Sequence, residues 1–224
     1  SFSSRTLAAE LIARKLSQYR GKDPLILGIP RGSVPMTKVI ADKLDGELDV
    51  VLVHKIGAPD NPEFAVGSVS EFGNIYRSEA VEFYEIQSEY IEDSARYEIG
   101  RLKQRRQSYS PIRPPISPKN RIVIIVDDGV ATGSTMLAAI RAIRSQSPQK
   151  VIVASPVASP RTLDVLQREA DELVILETPE EFFSISQFYD DFPQISDEEV
   201  LKTLSEAEEK GKRQPAVPSR KKTA

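Results

Sequence analysis

One stretch restricts the fold of this chain more than any other: Ile122-Val-Ile-Ile-Val-Asp127-Asp128-Gly129-Val130-Ala131-Thr132-Gly133-Ser134-Thr135. Its unbroken apolar opening, rich in β-branched residues, reads as a strand buried on both faces. Two acids and a glycine end that strand. Hydroxyl residues then lead into Met136, Leu137, Ile140 and Ile143, whose spacing is helical. A strand with no solvent face needs helices on both sides, so the stretch predicts an α/β fold.

The rest of the chain alternates in the same way. Helical patterns are read over Thr6 to Tyr19, after Ser33 as cap, over 78–108, over Arg161 to Ala170, and from Ser196 to Glu209. Strands are read at Pro24 to Pro30, Leu48 to Val53, Arg121 to Val126, Val151 to Ala154 and Leu173 to Leu176. Ala65 to Tyr76 reads as a β-hairpin turning near Gly73-Asn74. Proline-rich residues 110–118 interrupt the helical run. The expected architecture is a mostly parallel twisted sheet with helices on both faces, plus a helical insert and cap. Residues 1–210 form one domain in this reading, with the insert at about 78–118 and the cap at about 177–210. The basic tail 211–224 has little to bury and is expected to be disordered.

Composition removes several function classes. With no cysteine, disulfides and thiolate metal sites are excluded; with His54 as the single histidine, so is a histidine metal cluster. A formal net charge of -3 gives no general attraction for nucleic acid. No run approaches a membrane span, and the start of the chain lacks an apolar leader. A cytoplasmic location is expected.

The acid pair and the helix start define a chemistry. A helix N-terminus offers unpaired N–H groups and about half a positive charge, which suits a phosphate monoester. The backbone of Gly129, Val130, Ala131 and Gly133 supplies donors. So do the hydroxyls of Thr132, Ser134 and Thr135. Asp127 and Asp128 stand at the strand's carboxyl end, where ligands of open α/β sheets bind. Carboxylates at one end and anion donors at the other match a ribose 5-phosphate, with Asp128 expected to accept from the ribose hydroxyls. The lysine-bearing phosphate loop of nucleotide triphosphatases and the three-glycine dinucleotide fingerprint are both absent.

Residues 122–135 resemble the signature of the type I phosphoribosyltransferases: apolar strand, two acids, then a short loop ending Thr-Gly-Ser-Thr. Gly28-Ile-Pro-Arg-Gly-Ser-Val-Pro35 and Val53-His-Lys-Ile-Gly-Ala-Pro-Asp-Asn-Pro-Glu-Phe64 stand where that family has its pyrophosphate loop and its flexible catalytic loop. The similarity spans roughly residues 1–200 and points to a subgroup without an assigned base. It implies binding of 5-phosphoribosyl 1-pyrophosphate with Mg2+, transfer to a nitrogenous base, and a homodimer. Asp127 and Asp128 would reach the metal directly or through water. Arg31, Gly32, Ser33 and Lys55 would hold the pyrophosphate. A strained or cis peptide is expected near Arg31-Gly32. Many relatives carry arginine where this chain has His54, which puts a double cationic clamp in doubt.

Other features carry two readings each. Lys55, placed just past a strand end, either stabilises the departing pyrophosphate or is solvated. The loop Gly57 to Phe64 either closes over substrate or is an ordinary surface loop. The acid-free basic run Arg101, Lys103, Arg105, Arg106, Arg113, Lys119 and Arg121 is a solvated face, a lid over phosphates, or an RNA surface. Phe182, Phe183, Phe188, Tyr189 and Phe192 pack a cap, or one of them stacks on a base. Ser155 and Val157 lie on the same edge with a small part in ligand contact. The enzyme reading competes with a regulator that senses a phosphoribosyl ligand without turning it over.

Overall fold

The computed structural model describes residues 1–213. The fully apolar segments pair with one another, as they must when neither face meets water. Strands β1 (Leu25–Gly28), β2 (Glu47–Val50), β6 (Ile122–Val126), β7 (Lys150–Val157) and β8 (Glu172–Glu177) form a parallel sheet in the order β2-β1-β6-β7-β8. Successive residues of each strand feed opposite cores. Ile26, Ile124 and Ile152 pack under α1 (Arg5–Lys15), α2 (Val34–Leu44) and α7 (Asp197–Arg213). Leu25, Leu27, Val123, Ile125, Val151 and Val153 pack against α5 (Ser134–Arg144) and α6 (Pro160–Glu169). Complete burial of each such side chain contributes about 1.5–3 kcal/mol.

A second, antiparallel sheet joins β3 (Val53–Ala58), β4 (Asn61–Ser70) and β5 (Ile75–Arg77). It touches both α5 and the long helix α4 (Ser88–Tyr109), which follows the short helix α3 (Ala80–Phe83). The hairpin read at Ala65 to Tyr76 is part of this sheet. The single strand expected from Leu48 to Val53 is instead two. Leu52 leaves the parallel sheet because its N–H donates to Glu71 Oε2 at 2.7 Å and its carbonyl accepts from the Glu71 N–H at 2.9 Å. Both contacts pull the chain toward the hairpin.

The segment 57–64, read as an irregular loop, is largely paired. β3 and β4 run side by side out to Ala58 and Asn61, with shifts of register around Gly57. Nor is 78–108 one helix. Glu85, with a left-handed φ of 51°, separates α3 from α4. Ser33 heads α2 without capping it through its side chain, because its hydroxyl donates to the Ile29 carbonyl. At the start of α7 the reading of Ser196 holds: Ser196 Oγ accepts from the Glu199 N–H and Glu199 Oε2 accepts from the Ser196 N–H. That helix runs on through 211–213, the first part of the expected disordered tail. The remaining tail, 214–224, lies outside the described residues.

Candidate anion and ribose site

The chain direction reverses between β1 and β6. From β1 it crosses through α2 outward to β2; from β6 it crosses through α5 and α6 the other way to β7 and β8. Adjacent strands whose connections diverge leave a crevice above their carboxyl ends. The two loops that border it are 29–33 and 127–133, which are the two segments singled out as anion loops.

In the second loop the backbone is turned to present donors. Ala131 O accepts from Ser159 Oγ at 2.8 Å and from Thr162 Oγ1 at 2.6 Å. In a trans peptide the next N–H points the opposite way, so Thr132 N–H is turned away from those hydroxyls. Among the described residues the N–H groups of Ala131, Thr132, Gly133 and Thr135 have no acceptor. Gly133 makes the turn with φ 83°, a conformation a side chain strains. Val130 is tied down by a bridge to Ala158 and is buried. Thr132 and Ser134 lie on the rim with their hydroxyls 3.3 Å apart.

The two acids differ sharply. Asp128 is buried, and its Oδ2 accepts from both Nε and Nη2 of Arg5 at 3.0 Å. Arg5 is itself fixed: Nη1 donates to Pro193 O at 2.6 Å and the guanidinium lies 3.7 Å from the centre of the Phe192 ring. Tyr189 hydroxyl donates to Asp128 O at 2.6 Å. Among the described residues no lysine or arginine is within ion-pair distance of Asp127. Its Oδ1 accepts from the Asp128 N–H at 2.9 Å, and its other oxygen has no protein donor among the described residues. Burial, and then the charge of Asp128, hold the Asp127 carboxyl well above the usual range. Asp128 is raised by burial, against the opposing pull of Arg5. Asp128, the acid the sequence favoured for the ribose hydroxyls, is held by Arg5, while Asp127 is not so held.

The first loop meets the second through Gly32. A Cβ there would stand 2.3 Å from Asp128 Oδ2, so only glycine fits. The Pro30–Arg31 peptide is cis, as expected near Arg31-Gly32. The amides of Arg31, Gly32 and Ser33 have no acceptor among the described residues. The Arg31 side chain reaches Asp197 Oδ2 at 3.8 Å. Lys55 is not past a strand end; it sits within β3 opposite Ser68, and its Nζ is 3.1 Å from Glu63 Oε2. His54, its neighbour, lies 3.6 Å from Glu98.

Sequence reasoning missed Arg5, Ser159 and Thr162. Arg5 is separated from Asp128 by 123 positions, and nothing local in a short amphipathic helix marks its guanidinium as buried. Ser159 stands at a helix start and Thr162 in its first turn, where such residues are common for other reasons. The aromatic cluster mostly packs: Phe188 and Tyr189 are buried, while Phe183 is 85% exposed. Ser155 is buried with its hydroxyl on Val157 O. No group of three or more acidic, histidine or cysteine side chains suited to a metal occurs among the described residues. No helix there is long and apolar enough to cross a membrane.

Known proteins share the fold that carries this site. The crystal structure of TT1426 from Thermus thermophilus superposes with a TM-score of 0.81 at 40% identity, covering 92% of this chain and 98% of that one. Two curated proteins of Mycobacterium tuberculosis, provisionally named phosphoribosyl transferases Rv0571c (strain H37Rv) and MT0597 (strain CDC 1551), are each 35% identical over 207 residues, 92% of this chain. The chain spans about half, 47%, of the length of those relatives. The phosphoribosyl transferase domain family matches residues 4–193. This chain therefore belongs to the phosphoribosyl transferase domain family, with the parallel sheet and helix-covered faces of its type I members.

Proposed function

We propose that this chain transfers ribosyl 5-phosphate from 5-phosphoribosyl 1-pyrophosphate to a nitrogenous base and releases pyrophosphate. The observation that carries the reading is the pairing, on one rim of the sheet, of amides at 131–133 and 135 that have no acceptor among the described residues with the Asp127 carboxylate, which has no ion-pair partner among them. Gly129 and residues 131–135 hold the 5-phosphate, through backbone N–H groups and the hydroxyls of Thr132, Ser134 and Thr135; the Val130 N–H, expected from the sequence as a further donor, is instead taken by Val157 O at 2.9 Å. Asp127 accepts from the ribose hydroxyls. Asp128 acts from behind: locked by Arg5, it carries the backbone of the acid pair and seats Gly32. The amides of Arg31, Gly32 and Ser33 take the pyrophosphate, with the side chains of Arg31 and Lys55 swinging from Asp197 and Glu63 to join them.

Mg2+ takes few protein ligands and several from substrate and water. One free carboxylate beside an anion rim fits such an ion, and Asp127 would hold it, with Asp128 reaching it only through water. When bound, it supplies neutralisation of charge on the departing diphosphate. The chain's own contribution is placement and fixed donors at both ends of the donor substrate, without reorganisation during the reaction. The absence of cysteine suits a reducing, cytoplasmic setting.

The test is a base panel. The protein is incubated with Mg2+, labelled 5-phosphoribosyl 1-pyrophosphate and each of a set of purines, pyrimidines and related heterocycles. Base-dependent pyrophosphate release is expected for one of them. Tight donor binding with no release for any base would replace the enzyme with a ligand sensor. No donor binding at all would remove the reading.

A further inference from the structure

The basic run in α4 divides in a way that the reaction just described does not use. Arg101 and Arg105 stand one helical turn apart and share a face of α4. With Arg31, His54, Ser108 and Asp197 they line a groove of about 820 Å³ between α4 and α7. The groove begins at Pro30 and Arg31, the head of the first anion loop. Leu102 and Tyr109, both buried, lie along its floor and lower the dielectric there.

The charges in this groove are poorly matched. Asp197 is shared between Arg31 at 3.8 Å and Arg105 at 3.5 Å. Glu98 is shared between His54 at 3.6 Å and Arg101 at 3.5 Å. None of these contacts is a hydrogen bond. Elsewhere on the same helix Arg106 meets Glu71 at 2.7 Å, and Arg113 just beyond it meets Glu208 at 2.9 Å. The guanidinium groups of Arg31 and Arg101 make no hydrogen bond among the described residues, and Arg105 makes one, from Nε to Tyr109 Oη. Planar donor forks left open in a concave site suit a bidentate, multiply charged oxyanion.

We propose that this groove takes a diphosphate, that Arg101 and Arg105 are its ligands together with Arg31, and that Asp197 occupies it as an internal competitor. The proposal rests on the transferase reading, because Arg31 then links the groove to the donor's pyrophosphate end. Pyrophosphate released at the first loop has a cationic path outward along α4. Its entry displaces Asp197 from both arginines, at the first residue of α7. The groove belongs to product release, apart from the 5-phosphate rim.

The experiment titrates the full chain by calorimetry with inorganic pyrophosphate plus Mg2+, and separately with ribose 5-phosphate. Arg101→Gln combined with Arg105→Gln is expected to weaken pyrophosphate about tenfold or more, the scale of lost charge-assisted hydrogen bonds. Ribose 5-phosphate affinity stays within about twofold, since those arginines lie away from residues 129–135. Asp197→Asn, an exposed change, is expected to tighten pyrophosphate about threefold by removing the competitor. If pyrophosphate affinity moves in neither variant while ribose 5-phosphate still binds, the groove is not the diphosphate site and the transferase reading stands. If the unaltered chain binds neither ligand, both fall together.

Discussion

Two faces of α4 carry the same residue type to opposite ends. On one face Arg106 is largely buried, with Nε on Glu71 Oε1 at 2.7 Å, Nη1 on Asp49 Oδ1 at 3.1 Å and Nη2 on Val50 O at 2.8 Å. On the other, Arg101 and Arg105 hover 3.5 Å from carboxylates they share with other cations. The acid pair at the end of β6 repeats the contrast: Asp128 is locked by Arg5, and Asp127 next to it has no ion-pair partner among the described residues. Charges that hold the fold are matched and sealed. Those available to a ligand are left short of partners, and the site is built by setting one kind beside the other.

The contrast breaks first, and most visibly, at Arg106. Replacing it with alanine leaves Asp49 and Glu71 buried without their cation, a loss of about 3–5 kcal/mol. Denaturant unfolding would measure it; a loss under about 1 kcal/mol would mean the pair is no more structural than a surface one.

Asp127 gives the next effect, and it is a pH effect. Its carboxyl is raised by burial and by Asp128, and the role proposed for it requires the ionised form. Ligand affinity therefore falls as pH drops through that raised value, above the range where ordinary aspartates protonate. The sign for stability is opposite. A group with a raised folded pKa stabilises the fold at low pH and loses that contribution as pH rises through the folded value. Asp127→Asn should flatten both slopes relative to the unaltered chain, with affinity several-fold lower at neutral pH, by calorimetry and thermal melts. Parallel slopes in the two proteins would assign the titration to another group.

The smallest effect sharpens the contrast from the other side. Arg101→Gln and Arg105→Gln, one at a time, should shift unfolding free energy by under about 0.5 kcal/mol, as surface substitutions do. A larger loss would place them with Arg106.

What could be read from the sequence follows the same division between local and distant. The run Ile122 to Thr135 announces strand, loop and helix because each part is dictated by neighbours in the chain. The parallel sheet follows from strands with no polar face. What the sequence could not show turned on partners far away. Lys55 was placed past a strand end because nothing in Val53 to Phe64 shows that Asn61 to Ser70 will return to pair with it. The expectation for Asp128 could not include its guanidinium partner 123 positions distant. The basic run 101–121 could not be sorted into Arg106 and Arg113, which close on Glu71 and Glu208, and Arg101 and Arg105, which do not. Periodicity carries no such information.

The bond from Arg5 to Asp128 has a kinetic meaning as well. The amide rim at 129–135 is assembled from near neighbours, but the acid beside it is seated only when the first helix, the end of β6 and the 189–193 segment have all met. Contacts so far apart in the chain form late, after helices are in place. During refolding, recovery of ligand binding should trail recovery of the far-ultraviolet signal, so that occupancy of this crevice reports completion of the whole tertiary arrangement.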